Sequence, residues 1–389
     1  MFVNSPSLRL SILCLAFLVA GCASTEQHRL IAQTIAPASQ SEISALHRIF
    51  LATSREPASE PGVIFSGQRA PEIAFGLVDV SVPEVHESGK LERSPTTHVA
   101  DPARYFAARR LGLYRDAETF RTVIGRSARE RDGRALVFVH GFNTSFDEAV
   151  YRMTQIVHDS GYGGVPVLFT WPSSARVLNY IYDQNSATAA RDALEKTLHL
   201  IAGSGVKRID IVAHSMGAWL TMEVLRQLAI SGDRDLGGRL ADVVLASPDI
   251  DLDVFQSQMR RYGVPDRNFF VLTSRDDRAL NVSRIIAGNA PRLGSGIQPE
   301  EVAELGVTVL DVTSLSSPDG LNHTKFAENP VLVRLLGEGL VDSDDTPVTE
   351  DRIAQRLEGL TRGIGQTIGS AADLIITTPF EVINIAVGQ

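Results

Sequence analysis

The stretch Arg208-Ile209-Asp210-Ile211-Val212-Ala213-His214-Ser215-Met216-Gly217-Ala218-Trp219-Leu220 constrains the fold more than any other part of the chain. Its first half reads as a strand, with β-branched Ile209, Ile211 and Val212 in a short apolar run. Its second half reads as a helix, because Leu220, Val224, Leu225 and Leu228 recur at helical spacing. Between the halves lies small-x-Ser-x-Gly, Ala213 to Gly217. A sharp strand-to-helix turn needs small residues there, since a larger side chain at 213 or 217 collides across it. The same turn lifts the Ser215 hydroxyl above the sheet edge. Met216 opens the helix, so its N–H is expected to point, without a partner, at charge developing beside Ser215.

The surrounding chain repeats this alternation. Ala135–Val139, Val165–Thr170, Asp242–Ala246, Asn268–Thr273 and Gly306–Val312 read as buried strands. Helical patterns fall at Asp147–His158 and Asn185–Ile201. Continuous apolar strands alternating with helices predict a mostly parallel sheet with helices on both faces. Side chains that do chemistry then belong at the carboxyl ends of the strands. With 389 residues and 44% hydrophobic content, the chain is long enough for such a domain over residues 134–340, plus additions.

The additions lie at both ends. Residues 1–25 hold no charged residue but Arg9, and Leu10–Ala20 is apolar but too short to stay in a membrane as a span. Leu18-Val19-Ala20-Gly21-Cys22 resembles a bacterial lipoprotein signal, which implies removal of residues 1–21 and a lipid on Cys22. An ordinary secretory signal with an incidental cysteine is the alternative. By the same resemblance, Ala23 in place of aspartate directs the protein to the outer membrane, facing the periplasm. Residues 22–45 read as a tether, and 46–133 as a β-rich extension that covers a sheet edge or builds one wall of a cleft. Within it, His86–Asp101 reads as an exposed excursion. Residues 341–389 form a tail in which Ile353, Leu357, Leu360, Ile364 and Ile368 keep helical spacing, interrupted by glycines.

Taken together, Val139-His140-Gly141-Phe142-Asn143-Thr144, Phe169-Thr170-Trp171-Pro172-Ser173, Ala213–Gly217, Ser247-Pro248-Asp249, Ser274-Arg275-Asp276-Asp277-Arg278-Ala279-Leu280 and Gly320-Leu321-Asn322-His323 resemble the α/β-hydrolases. Within these, the resemblance is to a bacterial group of unknown function with esterase- and lipase-like character. It implies the α/β-hydrolase fold over about Leu46–Asn329 and a nucleophile, acid and base in the order Ser, Asp, His. Ser215 is then the nucleophile and His323, in the loop after the last strand, the base. The pattern Ser-x-x-Asp-x-Ala-Leu places the acid at Asp277, which leaves Asp276 to cap the following helix. Asp249 is an outside candidate for the acid, otherwise capping the helix after it. Met216 and Phe142, with Asn143 second, are expected to supply oxyanion N–H groups. Trp171 flanks the cleft or packs in the core. His214 is expected beneath the turn, and His140 against the oxyanion loop.

Charge and motifs exclude other classes. A net charge of −9 argues against nucleic acid. There is no HExxH, no His-x-His and no thiol beyond Cys14 and Cys22, so no metal and no cofactor are expected. The expected partners are a small-molecule or lipid ester and, through Cys22, a membrane. An acyltransferase or thioesterase acting on envelope lipids, or a binding lipoprotein with an idle site, are the other readings.

Overall fold

The computed structural model describes residues 34–35, 39–60, 62–94, 99–341, 372–380 and 382–387. The expected signal, Cys22, and the positions Ile353–Ile368 lie outside the described residues. Strands β1 (Ile43–Pro57), β2 (Phe65–Pro83), β3 (Ala107–Leu113), β4 (Arg134–Val139), β5 (Val165–Thr170), β6 (Arg208–His214), β7 (Leu240–Ala246), β8 (Phe269–Thr273), β9 (Thr308–Asp311), β10 (Ala372–Thr377) and β11 (Val382–Val387) form one sheet. Its order is β11-β10-β9-β8-β7-β6-β4-β5-β1-β2-β3. Every neighbouring pair from β9 to β1 is parallel. Antiparallel strands close both ends.

The helices are α1 (Ala117–Arg129), α2 (Phe146–Ser160), α3 (Tyr180–Ala189), α4 (Arg191–Ala202), α5 (Met216–Ser231), α6 (Leu252–Tyr262), α7 (Arg278–Ile286), α8 (Pro299–Ala303), α9 (Lys325–Glu328) and α10 (Pro330–Val341). They cover both faces, and β4 shows why. Val137 and Val139 pack into a core with Leu194, Leu198 and Val224, whereas Leu136 and Phe138 pack into the opposite core with Met153, Ile156 and Phe326. Each such buried side chain is worth roughly 1.5–3 kcal/mol. α2 starts on a capping box, Ser145 with Glu148, and stops at Gly161 in the left-handed region, φ 67°.

The N-terminal extension takes up the edge-covering role expected of it: β1 inserts beside β5 and continues the main sheet. Beyond the positions expected to be helical, the tail supplies β10 and β11, and Leu374 and Ile376 are fully buried. The long helix expected over Asn185–Ile201 is two, α3 and α4, meeting at Ala190. The excursion is not uniformly exposed, because the His86 side chain is only 4% accessible.

The sheet order creates a crevice. From β4 the chain moves outward to β5, then returns to the other side of β4 as β6 and continues outward through β7 to β9. Loops leaving β4 and β6 therefore diverge at the carboxyl end, where open α/β sheets bind ligands.

Candidate active site

Ser215 sits at the end of β6 with φ 54° and ψ −122°, a strained conformation for a residue with a side chain. Its carbonyl accepts from the Asp249 N–H at 3.2 Å, and its own N–H donates to the Ala246 carbonyl at 3.0 Å, which pins the turn to β7. The small residues are required by contact. A Cβ on Gly217 would stand 2.3 Å from the His140 carbonyl oxygen, and one on Gly141 would stand 2.9 Å from Ser215 Cβ. The elbow and the loop after β4 thus lie against each other.

Asp277 begins α7 and uses both carboxylate oxygens. Oδ2 lies 2.7 Å from His323 Nδ1, and Oδ1 accepts the Leu280 N–H at 2.9 Å. The cap expected of Asp276 therefore belongs to Asp277. Asp276 instead meets Lys325 Nζ at 2.7 Å and the Asn322 side-chain amide at 2.8 Å. The Asp249 carboxylate is engaged elsewhere. It accepts from Tyr180 Oη at 2.8 Å and Ser283 Oγ at 2.5 Å. It does not cap the next helix either, since Asp251 accepts from the Asp253 and Val254 N–H groups.

The His323 loop is built around carboxylates. Asp319 accepts the N–H groups of Asn322, His323 and Thr324 at 2.5, 2.8 and 3.0 Å. Burial works against its ionised form, but these N–H donors prevail and hold its pKa below the usual value. Lys325, 1% exposed at the side chain, also donates to the Val312 and Thr313 carbonyls and so ties the loop to the end of β9. The His323 imidazole is pulled down by burial and raised by Asp277, and the carboxylate wins, so its pKa lies above the ordinary 6.5. His214 does not lie beneath the elbow alone. Its ring centroid is 4.7 Å from both His323 and Phe326, and its Nε2 donates to the His323 carbonyl at 3.2 Å. Burial, with His323 beside it, keeps His214 neutral by holding its pKa well below 6.5.

Among the described residues, the Met216 and Phe142 amides donate to no protein acceptor. The second candidate, Asn143, is committed elsewhere: its N–H faces Asp183 Oδ2 at 3.4 Å. The same carboxylate accepts from Ser173 Oγ at 2.6 Å, and Ser173 Oγ accepts the Thr144 N–H at 3.1 Å. Trp171 is a correction as well. It is fully buried, stacks 5.0 Å from His140, and donates to the His140 carbonyl at 2.8 Å, so it supports the loop from below and lines no cleft.

Arg55, on β1, is the residue that sequence reasoning missed. It is buried and reaches Thr170 Oγ1 at 2.8 Å, the Ser173 carbonyl at 2.8 Å and the Thr144 carbonyl at 2.7 Å. Burial draws its pKa down to about 10. Its Nη2 also faces His140 Nε2 at 3.3 Å, so Nε2 accepts and Nδ1 donates to the Gly141 carbonyl at 2.9 Å. Burial and this cation push the His140 pKa to about 3, leaving a neutral ring of fixed tautomer. No sequence pattern marks Arg55, because its partners lie on β5 and the loops after β4 and β5. Lys325 carried a weak signal, two positions after His323.

A cavity of about 220 Å³ opens beside His323. Phe138, Phe142 and Phe326 give it apolar walls, and Arg93 and Glu148 close one end. Arg93 comes from the N-terminal extension, which thus both continues the sheet and walls the cleft.

The model of a family described as alpha/beta hydrolase of unknown function (DUF900) matches residues 116–339, more than half of the 389-residue chain. The chain belongs to this family. No curated protein matches it. Similar solved structures include a hyperthermophilic esterase from the archaeon Pyrobaculum calidifontis, with TM-score 0.34, 12% identity, and 77% of this chain and 86% of that one covered. Another is esterase B from Lactobacillus rhamnosis, with TM-score 0.36, 9% identity, and 87% and 96% covered. A fungal esterase from Rhizomucor miehei gives TM-score 0.35, 12% identity, and 77% and 85% covered.

Proposed function

We propose that this α/β-hydrolase is a serine hydrolase that cleaves carboxylic esters through an acyl-enzyme, tethered to a membrane by lipidated Cys22. The observation that carries the reading is the 2.7 Å contact between Asp277 and His323 Nδ1, with the His323 carbonyl hydrogen-bonded to His214, the residue before the strained Ser215. A serine hydroxyl needs a base to become a nucleophile near neutral pH. His323 Nε2 takes that proton while Asp277 holds the proton on Nδ1 and stabilises the imidazolium. The Ser215 oxygen bonds to the ester carbonyl carbon, and the Met216 and Phe142 N–H groups receive the oxyanion. Collapse expels the alcohol, protonated by His323. Water then repeats the sequence and releases the acid.

The cavity of about 220 Å³ lies beside His323 and the Phe142 loop, and neither Ser215 nor Met216 is among the residues that line it. Outside it, Leu178 and Ile181 are 88% and 58% exposed, next to Tyr180, whose ring meets Phe142 at 5.3 Å. Apolar bulk on the substrate has a surface to rest on there.

A fluorophosphonate probe is expected to label the wild type and not Ser215→Ala, with turnover of a chromogenic short-chain ester falling at least about a thousandfold. Labelling that survives the substitution would place the nucleophile elsewhere. The tether is tested independently: radiolabelled fatty acid is expected to enter the wild type and not Cys22→Ser, and unlabelled wild-type protein sinks that part of the proposal.

A further inference from the structure

Away from the Ser215 crevice, three histidines and two carboxylates gather where β1, the turn after β2 and the end of α2 meet. His47 lies on β1, His86 and Glu92 follow β2, and His158 and Asp159 form the last turn of α2. One ligand atom from each of His86, His158 and Asp159 lies within 4.8 Å of the other two. We propose that these three residues bind a divalent transition cation of the Zn2+ class.

The geometry is close to what such an ion needs. Bonds of about 2.0–2.1 Å in a tetrahedron put ligand atoms roughly 3.3 Å apart. His86 Nε2 stands 2.7 Å from Asp159 Oδ1, and His47 Nε2 stands 3.1 Å from His158 Nδ1. The His86–Asp159 pair needs to open by a few tenths of an ångström, and His158 needs to close on it from a separation of up to 4.8 Å.

The surroundings already hold the ligands in the required way. A metal-binding imidazole usually gives its other N–H to a carboxylate, which fixes the ring and raises its basicity. His86 does so, with Nδ1 2.6 Å from Glu92 Oε2. Asp159 is set up for a single metal bond. Its Oδ2 accepts from the Gly89 N–H at 2.8 Å and the Gln155 amide at 2.6 Å, leaving Oδ1 toward His86. His86 sits between two carboxylates, Glu92 and Asp159.

The ion would fasten the excursion that carries Arg93 into the cavity wall to α2. This departs from the expectation of no metal. The ligands share no spacing motif, apart from adjacent His158 and Asp159, because the fold alone brings the turn to α2.

The test is calorimetric titration of the full chain, stripped with a chelator, with ZnCl2. The wild type is expected to bind about one equivalent saturably. His158→Ala and Asp159→Asn are expected to abolish saturable binding. Glu92→Gln, which leaves every ligand in place, is expected to weaken it about tenfold or more. His323→Ala is the control and is expected to bind as the wild type does. Zn2+ should raise the Tm of the wild type and of His323→Ala, and leave that of Asp159→Asn unmoved. Absence of saturable binding in the wild type overturns the proposal. So does binding unchanged in the Glu92 and Asp159 variants, or lost only in His323→Ala, which would put the ion in the crevice. If a ligand variant fails to fold, the wild-type stoichiometry and Glu92→Gln decide.

Discussion

At the residue scale, the two oxygens of Asp277 have separate duties, and one substitution distinguishes them. Asparagine keeps an oxygen that can cap α7 through the Leu280 N–H, so Asp277→Asn is expected to unfold at nearly the wild-type urea midpoint. The amide nitrogen then faces His323 Nδ1, which must become an acceptor. The proton moves to Nε2, the position that has to receive the Ser215 proton. Turnover is expected to drop about ten-thousandfold. The wild-type pH profile follows from the same contact. The base works when neutral, and Asp277 holds its pKa above 6.5, so kcat/KM is expected to fall on the acid side along a limb centred above that value. His323 as a charged group stabilises the fold below its unfolded pKa, and that contribution fades as pH rises through the folded one. Activity and this stability term thus run in opposite directions. An acid limb at or below the ordinary histidine value would contradict the assignment.

At the element scale, legibility tracked how local the cause was. The β6–turn–α5 unit could be read from sequence because its strand run, its small residues and its helical spacing are contiguous. The parallel core from β4 to β9 was legible for the same reason. Asp277 was placed by a pattern that runs directly into α7. What could not be read depends on partners far along the chain. Trp171 looked like a cleft residue because it ends a strand, and only the His140 carbonyl above it decides that it is a buried support. Asn143 stood second to Phe142 as an amide donor, and Asp183 of α3 claims its N–H. Asp276 and Asp277 are adjacent, and their division of labour depends on Lys325 and Asn322 arriving from beyond β9. The strands of the tail carry no alternation against polar residues, since Leu374 and Ile376 fill a core assembled by distant elements.

At the scale of the whole molecule, the family-matched region leans on residues outside it. Residues 116–339 carry Ser215, Asp277 and His323, yet β1 and Arg55 lie outside them. Without Arg55, the Thr144 and Ser173 carbonyls lose their donor, at about 1–3 kcal/mol for each buried group left unmet. Without β1, the long edge of β5 is open. A fragment of residues 116–339 is therefore expected to lack ester hydrolysis and a cooperative thermal transition, measured by the chromogenic assay and circular dichroism. Wild-type turnover from that fragment would refute the supporting role given to the extension.

The place of β1 in the sheet also bears on how the chain is made. β1 and β2 precede the other strands of this sheet in the chain and pair as a hairpin, Phe50 opposite Leu77. The other side of β1 waits for β5, where Phe50 stands opposite Val167. Until those later residues have been synthesised, a long strand with an unpaired, apolar flank is present on a growing polypeptide. Pairings this distant in sequence form slowly, and open strand edges invite other chains. The interval between translation of Pro83 and of Thr170 is thus when a nascent copy is most exposed to aggregation, and when a holding chaperone has the most to protect.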